Sequence, residues 1–267
     1  MTTSSPKITH LDFLQKVRSK ELSQVLTYFP SAENNGTRRA VLEIGAGTGQ
    51  QAKTIKDLGY DVTAIDIPSS HYYNDRIFDV IDYDGRAIPV ATGSIDVVFS
   101  STVLEHVREI DDLLQETIRI MAKDAIAVHV LPTSAWRLWG IVGHYLWLIR
   151  RMLAYTFSKV KRRGERVFSN ASPRKPTSLR EWLGTFFPLR HGERGVTVTE
   201  AYYYSRYWWK RKFSEHGLRI IKIEGNHIFY SSANALGVNL NIKIRTWLSY
   251  LFGSACNIYV LKRDPEI

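Results

Sequence analysis

Apolar and polar positions change period several times along the chain, and each change marks an element. Short apolar runs alternate with stretches whose apolar residues recur at three- and four-residue steps. The pattern predicts strand one at 40–44, a helix from Gln50 to Leu58 ended by Gly59, and strand two at 61–65. Strand three is expected at Phe78–Ile81 and strand four at Asp96–Ser100. A helix over 109–122 then presents Ile110, Leu113, Leu114, Ile118 and Met121 on one face, and strand five covers Ala125–Val130, closed by Pro132. Near the end, Leu218–Ile223 and Asn257–Leu261 read as two more strands. Continuous apolar runs between helices predict a right-handed, doubly wound parallel sheet, with ligands bound at the carboxyl ends of its strands.

Outside that core, Leu11, Leu14, Leu22, Val25, Leu26 and Phe29 form an amphipathic helix stopped before Pro30, which packs on the sheet or covers the ligand pocket. Asn35-Gly36 marks a turn. The organisation is therefore 1–39 as N-terminal helix and loop, 40–133 as ligand-binding core, 134–199 as an α-rich basic and apolar insertion after strand five, and 200–267 as the rest of the core. The insertion opens with a strongly apolar stretch, Trp136 to Phe157, whose uncharged run between Arg137 and Arg150 is 12 residues. A membrane span needs about 20, so this is no transmembrane helix. Arg150, Arg151, Lys159, Lys161, Arg162 and Arg163 beside its aromatics match an interfacial helix on an anionic bilayer. Burial against the sheet, or against a second copy in a homodimer, is the alternative. Gly164 to Pro176 is expected to be a mobile loop. In the stretch 202–212 aromatics alternate with cations, and Tyr204, Trp208 and Phe213 are expected to form the packed face of the last large helix; a single-stranded nucleic acid is the less favoured reading. Ile242, Ile244, Trp247, Leu248, Leu251 and Phe252 suggest one more apolar helix.

Charge sharpens the division. The 267-residue chain carries a formal +10. Trp136–Lys212 holds 17 Lys and Arg against four Asp and Glu, so this region alone is +13 and the remainder −3. Such asymmetry points to an anionic partner for the insertion. The single cysteine, Cys256, excludes a disulfide framework and fits a reducing compartment; no secretory signal pattern is read at the N-terminus, so a cytoplasmic location is expected, with peripheral attachment to the cytoplasmic face of a membrane.

The residues with most chemical content are Val41-Leu42-Glu43-Ile44-Gly45-Ala46-Gly47-Thr48-Gly49-Gln50, a strand, a glycine loop and a helix start. Such a loop lets a ligand approach the backbone closely. A dinucleotide fingerprint needs its third glycine at position 50, which is Gln50. Glu43 would repel a pyrophosphate and attract a cation, which favours S-adenosylmethionine. The stretch resembles motif I of the class I S-adenosylmethionine-dependent methyltransferases, of the type 11-like kind. Asp61–Asp66 resembles that family's second strand, Tyr83–Pro89 its segment after strand three, and Ser101-Thr102-Val103-Leu104-Glu105-His106-Val107 its stretch after strand four. The resemblance covers 40–133 well and 200–263 loosely, and leaves 134–199 without a counterpart. It implies a Rossmann-like seven-stranded sheet whose last two strands pair antiparallel at one edge. It also implies cofactor contacts from Glu43, Gly45, Ala46, Gly47, Gly49, Asp66 (ribose), Ile67, Asp84 (adenine), Gly85, Ser101 and Thr102, and places His106 beside the transferred methyl.

Methyl transfer is an in-line displacement, so alignment carries much of the acceleration, and a hydroxyl acceptor also needs a base. His106 ranks first as base. Phe187–Gly195 adds His191 and Glu193 between two guanidinium groups, a base and an anion clamp or else a charged turn; Glu105 is a further candidate, and His129 is assigned to the core. Some related quinone O-methyltransferases hold a divalent cation with E-x-x-E-H, but here Thr102-Val103-Leu104-Glu105-His106 lacks the first carboxylate. With two ligands left, no tightly bound metal is expected. The leading expectation is O-methylation of a small-molecule, lipid-linked or glycan acceptor, anionic and near a membrane. An RNA methyltransferase and a non-catalytic cofactor-binding scaffold are the alternatives.

Overall fold

The computed structural model of the chain describes residues 10–161, 186–230 and 240–265. The expected loop at Gly164–Pro176, and the cations Arg162, Arg163, Arg166, Arg174 and Lys175, lie outside these. A hairpin of β1 (Glu33–Asn34) and β2 (Thr37–Arg38) turns at Asn35 and Gly36, both at positive φ. The main sheet comprises β3 (Ala40–Ile44), β4 (Asp61–Asp66), β5 (Val80–Asp82), β6 (Ile95–Ser101), β7 (Met121–Pro132), β8 (Leu218–Gly225) and β9 (Cys256–Arg263). Its order is β5-β4-β3-β6-β7-β9-β8, with β9 antiparallel to both neighbours and the remaining pairs parallel. This is the seven-stranded, doubly wound, Rossmann-like sheet expected from the sequence.

Alternation along the strands feeds two cores. Leu42, Ile44, Val98 and Ala127 face α3 (Ile110–Ile120) and carry Leu113, Leu114, Trp209 and Phe213 on one side. Val41, Val97, Phe99 and Val128 face the other way, onto Leu22, Val25 and Phe29, which belong to or follow α1 (His10–Val25), and onto Ile55 of α2 (Gln50–Asp57). Every strand residue named is under 2% exposed, so burial on both faces accounts for their near-continuous apolar character.

Two boundaries and one packed position show where the expected pattern gives way. The helix expected to reach residue 122 stops at Ile120, and β7 starts at once, because fully buried Met121 pairs with Ile95 in the sheet. Strand pairing overrides helical propensity there. The third strand begins at Val80 rather than Phe78: Ala64 pairs with Val80 and Asp66 with Asp82, and Arg76 ties the end through Asp82 at 2.8 Å. In α6 (Arg206–Glu215), Trp209 takes the fully buried position given to Trp208, which instead lies half-buried under the guanidinium of Arg194.

The chain leaves the sheet as α4 (Ser134–Lys161), capped where Thr133 Oγ1 accepts the Trp136 N–H. Trp136, Arg137 and Leu148 turn inward. Leu138, Val142, Tyr145, Leu146, Ile149, Met152 and Leu153 recur at helical steps and are all 40–53% exposed, so the apolar stripe of α4 faces outward. A short helix α5 (Glu200–Tyr203) precedes α6, and α7 (Ile242–Phe252) packs Phe252 against Trp139. Among the described residues no helix is long and apolar enough to cross a membrane.

Candidate active site

The carboxyl ends of β3, β4, β5 and β6 gather most of the expected cofactor residues. The loop after β3 needs glycine: at Gly45 φ is +70° and an added Cβ would lie 2.4 Å from Val103 Cγ2. The Gly47 N–H donates to Asp66 Oδ2 at 3.0 Å, and the other Asp66 oxygen accepts the Ile67 N–H at 2.8 Å. One acidic side chain at the end of β4 therefore shapes the loop. Glu43 lies beneath it, 2% exposed, with Oε2 lacking a hydrogen-bond donor. Burial pushes this carboxyl up to about 8, against the pull of the Ala52 N–H and aided by the nearby Asp66. Asp84 stands exposed past β5; its Oδ1 accepts the N–H groups of Arg86 and Ala87, which hold it below the usual carboxylate range. A Cβ at Gly85 would sit 3.8 Å from Ile67 Cγ2, so these two residues face each other across the rim.

One contributor went unnoticed in the sequence. Arg18 of α1 donates to Ser101 Oγ at 2.9 Å and to Thr102 Oγ1 at 2.8 Å, with Glu21 steadying it at 3.2 Å. Thr102 holds a positive φ of 54°, uncommon for a β-branched residue. The apolar face of the N-terminal helix thus packs on the sheet, while Arg18 reaches the end of β6.

A second cluster joins the turn after β6 to the 190–194 loop. After β6 the chain makes a short turn at Leu104–His106. The 190–194 loop is laced onto this turn: the Glu193 N–H donates to Glu105 O at 3.0 Å, and Arg194 donates to Leu104 O and Val107 O. Gly192 is required at the crossing, since its Cβ would lie 2.8 Å from Glu105 O. The buried Glu200 carboxylate accepts the His191 N–H at 2.7 Å and also the Gly192 N–H and the Tyr204 hydroxyl. The result sets the His106 and His191 rings 4.7 Å apart, edge to face, with His191 also against Trp136.

Burial lowers both imidazoles, His191 to about 4, where His106 and Arg137 also disfavour a second charge. Beside them Glu105 is 1% exposed, neither oxygen accepts a hydrogen bond, and burial pushes it up to about 8. Its Oε1 lies 3.9 Å from His106 Nε2. Glu193 turns its carboxylate outward to Arg108 at 3.0 Å and Arg190 at 3.4 Å, and Arg108 holds it below the usual range. The Arg108–Glu193–Arg190 cluster and the imidazoles are therefore adjacent but separate. His129 is fully buried, bonded to Ser100 Oγ at 2.8 Å and stacked on Phe213, a core histidine as expected.

A family profile described as a methyltransferase domain matches residues 14–223. The chain belongs to this methyltransferase family. Its cofactor is S-adenosylmethionine, and the glycine loop over an orphaned, buried carboxylate oxygen fits a ligand that brings cationic groups and no phosphate. Among curated proteins the methyltransferase is similar to a biotin biosynthesis bifunctional protein of Cellvibrio japonicus, at 31% identity over 104 residues (37% of this chain, 20% of that one). It is 26% identical over 166 residues to an uncharacterized methyltransferase of Mycolicibacterium gilvum, covering 58% of this chain and 63% of that one. The methyltransferase therefore spans less than two thirds of the length of either relative. A solved chain from the complex between the Haloferax volcanii Trm112 methyltransferase activator and a methyltransferase superposes with a TM-score of 0.54 at 12% identity, over 94% of this chain and 92% of that one, which shows the shared fold.

Proposed function

We propose that the methyltransferase methylates a hydroxyl oxygen of an anionic acceptor, a small molecule, lipid-linked intermediate or glycan, met at the cytoplasmic face of a membrane. The observation that carries this reading is the meeting of His106 from the core with His191 from the insertion, at the end of β6 and next to the cofactor rim. When bound, S-adenosylmethionine supplies an electrophilic methyl group on sulfur. Glu43, Asp66 and the Gly45–Gly49 backbone would hold its charged and ribose portions, Ile67, Asp84 and Gly85 its adenine, and Ser101 and Thr102 the wall beside the methyl. His106 and His191, whose charged forms are disfavoured by partial desolvation, retain the lone pairs needed to take or redirect a hydroxyl proton. Arg108 and Arg190 can exchange Glu193 for an acceptor anion, since both are largely exposed. The outward apolar stripe of α4, with Arg150 and Arg151 on the same helix, supports the membrane setting.

The test is transfer of labelled methyl into fractionated extract, followed by identification of the product. Label in a methyl ether of a membrane-fraction acceptor supports the reading, and label in a methyl ester would move the acceptor from a hydroxyl to a carboxylate. Label in RNA, or tight cofactor binding with no label anywhere, replaces it with one of the alternatives.

A further inference from the structure

The sequence leaves two metal ligands after β6, but the fold brings a third. A carboxylate oxygen of Glu105 and one ring nitrogen each from His106 and His191 lie within 4.8 Å of one another. Glu105 is 1% exposed and neither of its oxygens accepts a hydrogen bond, so a buried carboxyl group sits in the cluster without a partner, and a bound cation would favour its ionised form. An unpartnered buried carboxylate is costly, and coordination is one of the few ways to satisfy it. Both histidines stand at the exposed mouth, so an ion can enter and a ligand can reach it.

We propose that Glu105, His106 and His191 form a binding site for a divalent transition-metal ion of the zinc, cobalt or manganese kind. Two imidazoles and one carboxylate suit such ions better than magnesium or calcium, which favour oxygen donors. Three protein ligands also leave positions open, the pattern of a reactive rather than a closed structural site. The ion would hold the acceptor oxygen and lower the pKa of its hydroxyl, which then loses its proton to solvent. The donors come from different layers: Glu105 and His106 from the turn after β6, His191 from the insertion. That loop is held in place by Glu200 and by the Glu193 N–H to Glu105 O bond. The insertion is thus what completes the site.

This proposal rests on the hydroxyl-methylating reading above but gives the imidazole lone pairs to the ion in place of the acceptor proton, and its test does not use turnover. The full chain is freed of metal with a chelator and titrated with Co²⁺, reading the visible d–d absorption, and with Zn²⁺ by calorimetry in competition. One saturable site per chain is expected, with His191→Ala and Glu105→Gln each weakening it by at least about tenfold. Circular dichroism and S-adenosylhomocysteine affinity check that both variants fold. His191→Ala, at an exposed position, remains informative should Glu105→Gln misfold. Absence of a saturable site, or equal binding by His191→Ala, overturns the proposal. Chelator-resistant methyl transfer would then leave the hydroxyl-methylating reading standing with the imidazoles as bases.

Discussion

Arg137 and Glu200 face each other at 2.7 Å, Nε to Oε2, with side chains only 3% and 0% exposed. Arg137 belongs to the inward side of α4 and Glu200 opens α5, so the pair pins the two ends of the insertion together. The other Glu200 oxygen receives the His191 N–H, and the ion pair thereby fixes the height of His191 beside His106. Removing one partner leaves an uncompensated buried charge, which costs about 3–5 kcal/mol. Glu200→Gln retains an acceptor for the His191 amide but strips Arg137 of its counter-charge. It should therefore lower stability by about 3–5 kcal/mol and reduce methyl transfer more than cofactor affinity. Chemical denaturation and cofactor calorimetry measure the two effects separately. Loss of cofactor binding in a folded variant would show that the pair serves the other end of the site.

The glycine loop makes a separable prediction. Gly45→Ala incurs about 1–2 kcal/mol for positive φ and a contact of 2.4 Å with Val103 Cγ2. The loop must shift, and cofactor affinity should fall by at least about tenfold, the equivalent of 1.4 kcal/mol. Val103→Ala in the same chain removes the two Cγ contacts, leaving Cβ at 3.2 Å, but not the backbone strain. The double variant should therefore recover part of the affinity. If it recovers none, the φ requirement alone governs the loop.

What the sequence disclosed and what it concealed divide by range. The strands, the glycine loop and Asp66 were legible because each rests on periodicity or on spacing within one strand–helix–strand unit. Arg18 was not, since its partners Ser101 and Thr102 are 83 and 84 residues away and nothing local marks an arginine on an amphipathic helix as anything but a solvated charge. The proximity of His191 to His106 depends on backbone bonds such as Glu193 to Glu105, between segments remote in the chain. Charge counting also misled in part. Arg137 and Arg194 were counted toward an external anion, yet Arg137 is buried against Glu200 and Arg194 is spent on the carbonyls of Leu104 and Val107. Met121 looked helical because it continues the face of α3, whereas its place was decided by pairing with Ile95.

Glu43 gives a pH dependence of definite sign. Its carboxyl sits at about 8 in the folded chain against an ordinary value of 4.5. Between those values the folded state keeps a proton that the unfolded state has lost, so this group makes stability fall as pH rises. Glu43→Gln retains an oxygen to accept the Ala52 N–H but cannot ionise. Urea midpoints at pH 5.5 and 8.5 should therefore show the natural chain losing stability relative to Glu43→Gln as pH increases. A constant difference between the two proteins would mean that Glu43 is already ionised in the cofactor-free fold.

The outward face of α4 makes the last prediction. Leu146 and Ile149 are 51% and 53% exposed at the centre of its stripe, and Trp147 beside them carries the Arg151 guanidinium 5.0 Å above its ring. On α7, Trp247, Tyr250 and Leu251 are 62%, 71% and 61% exposed. Apolar surface of this extent, rich in aromatics and edged by arginines, is suited to the headgroup region of an anionic bilayer. Burying a leucine or isoleucine side chain yields about 1.5–3 kcal/mol, so Leu146→Ser with Ile149→Ser should weaken binding to phosphatidylserine-containing vesicles by roughly a hundredfold. Arg150→Gln with Arg151→Gln should reduce binding mainly at low salt. Neither pair contacts the cofactor rim, so S-adenosylhomocysteine affinity should stay unchanged. Flotation on a sucrose gradient reads the first two effects and calorimetry the third. A natural chain that stays at the bottom of the gradient, yet runs as a dimer that Leu146→Ser and Ile149→Ser convert to monomer, would assign this face to a second copy instead.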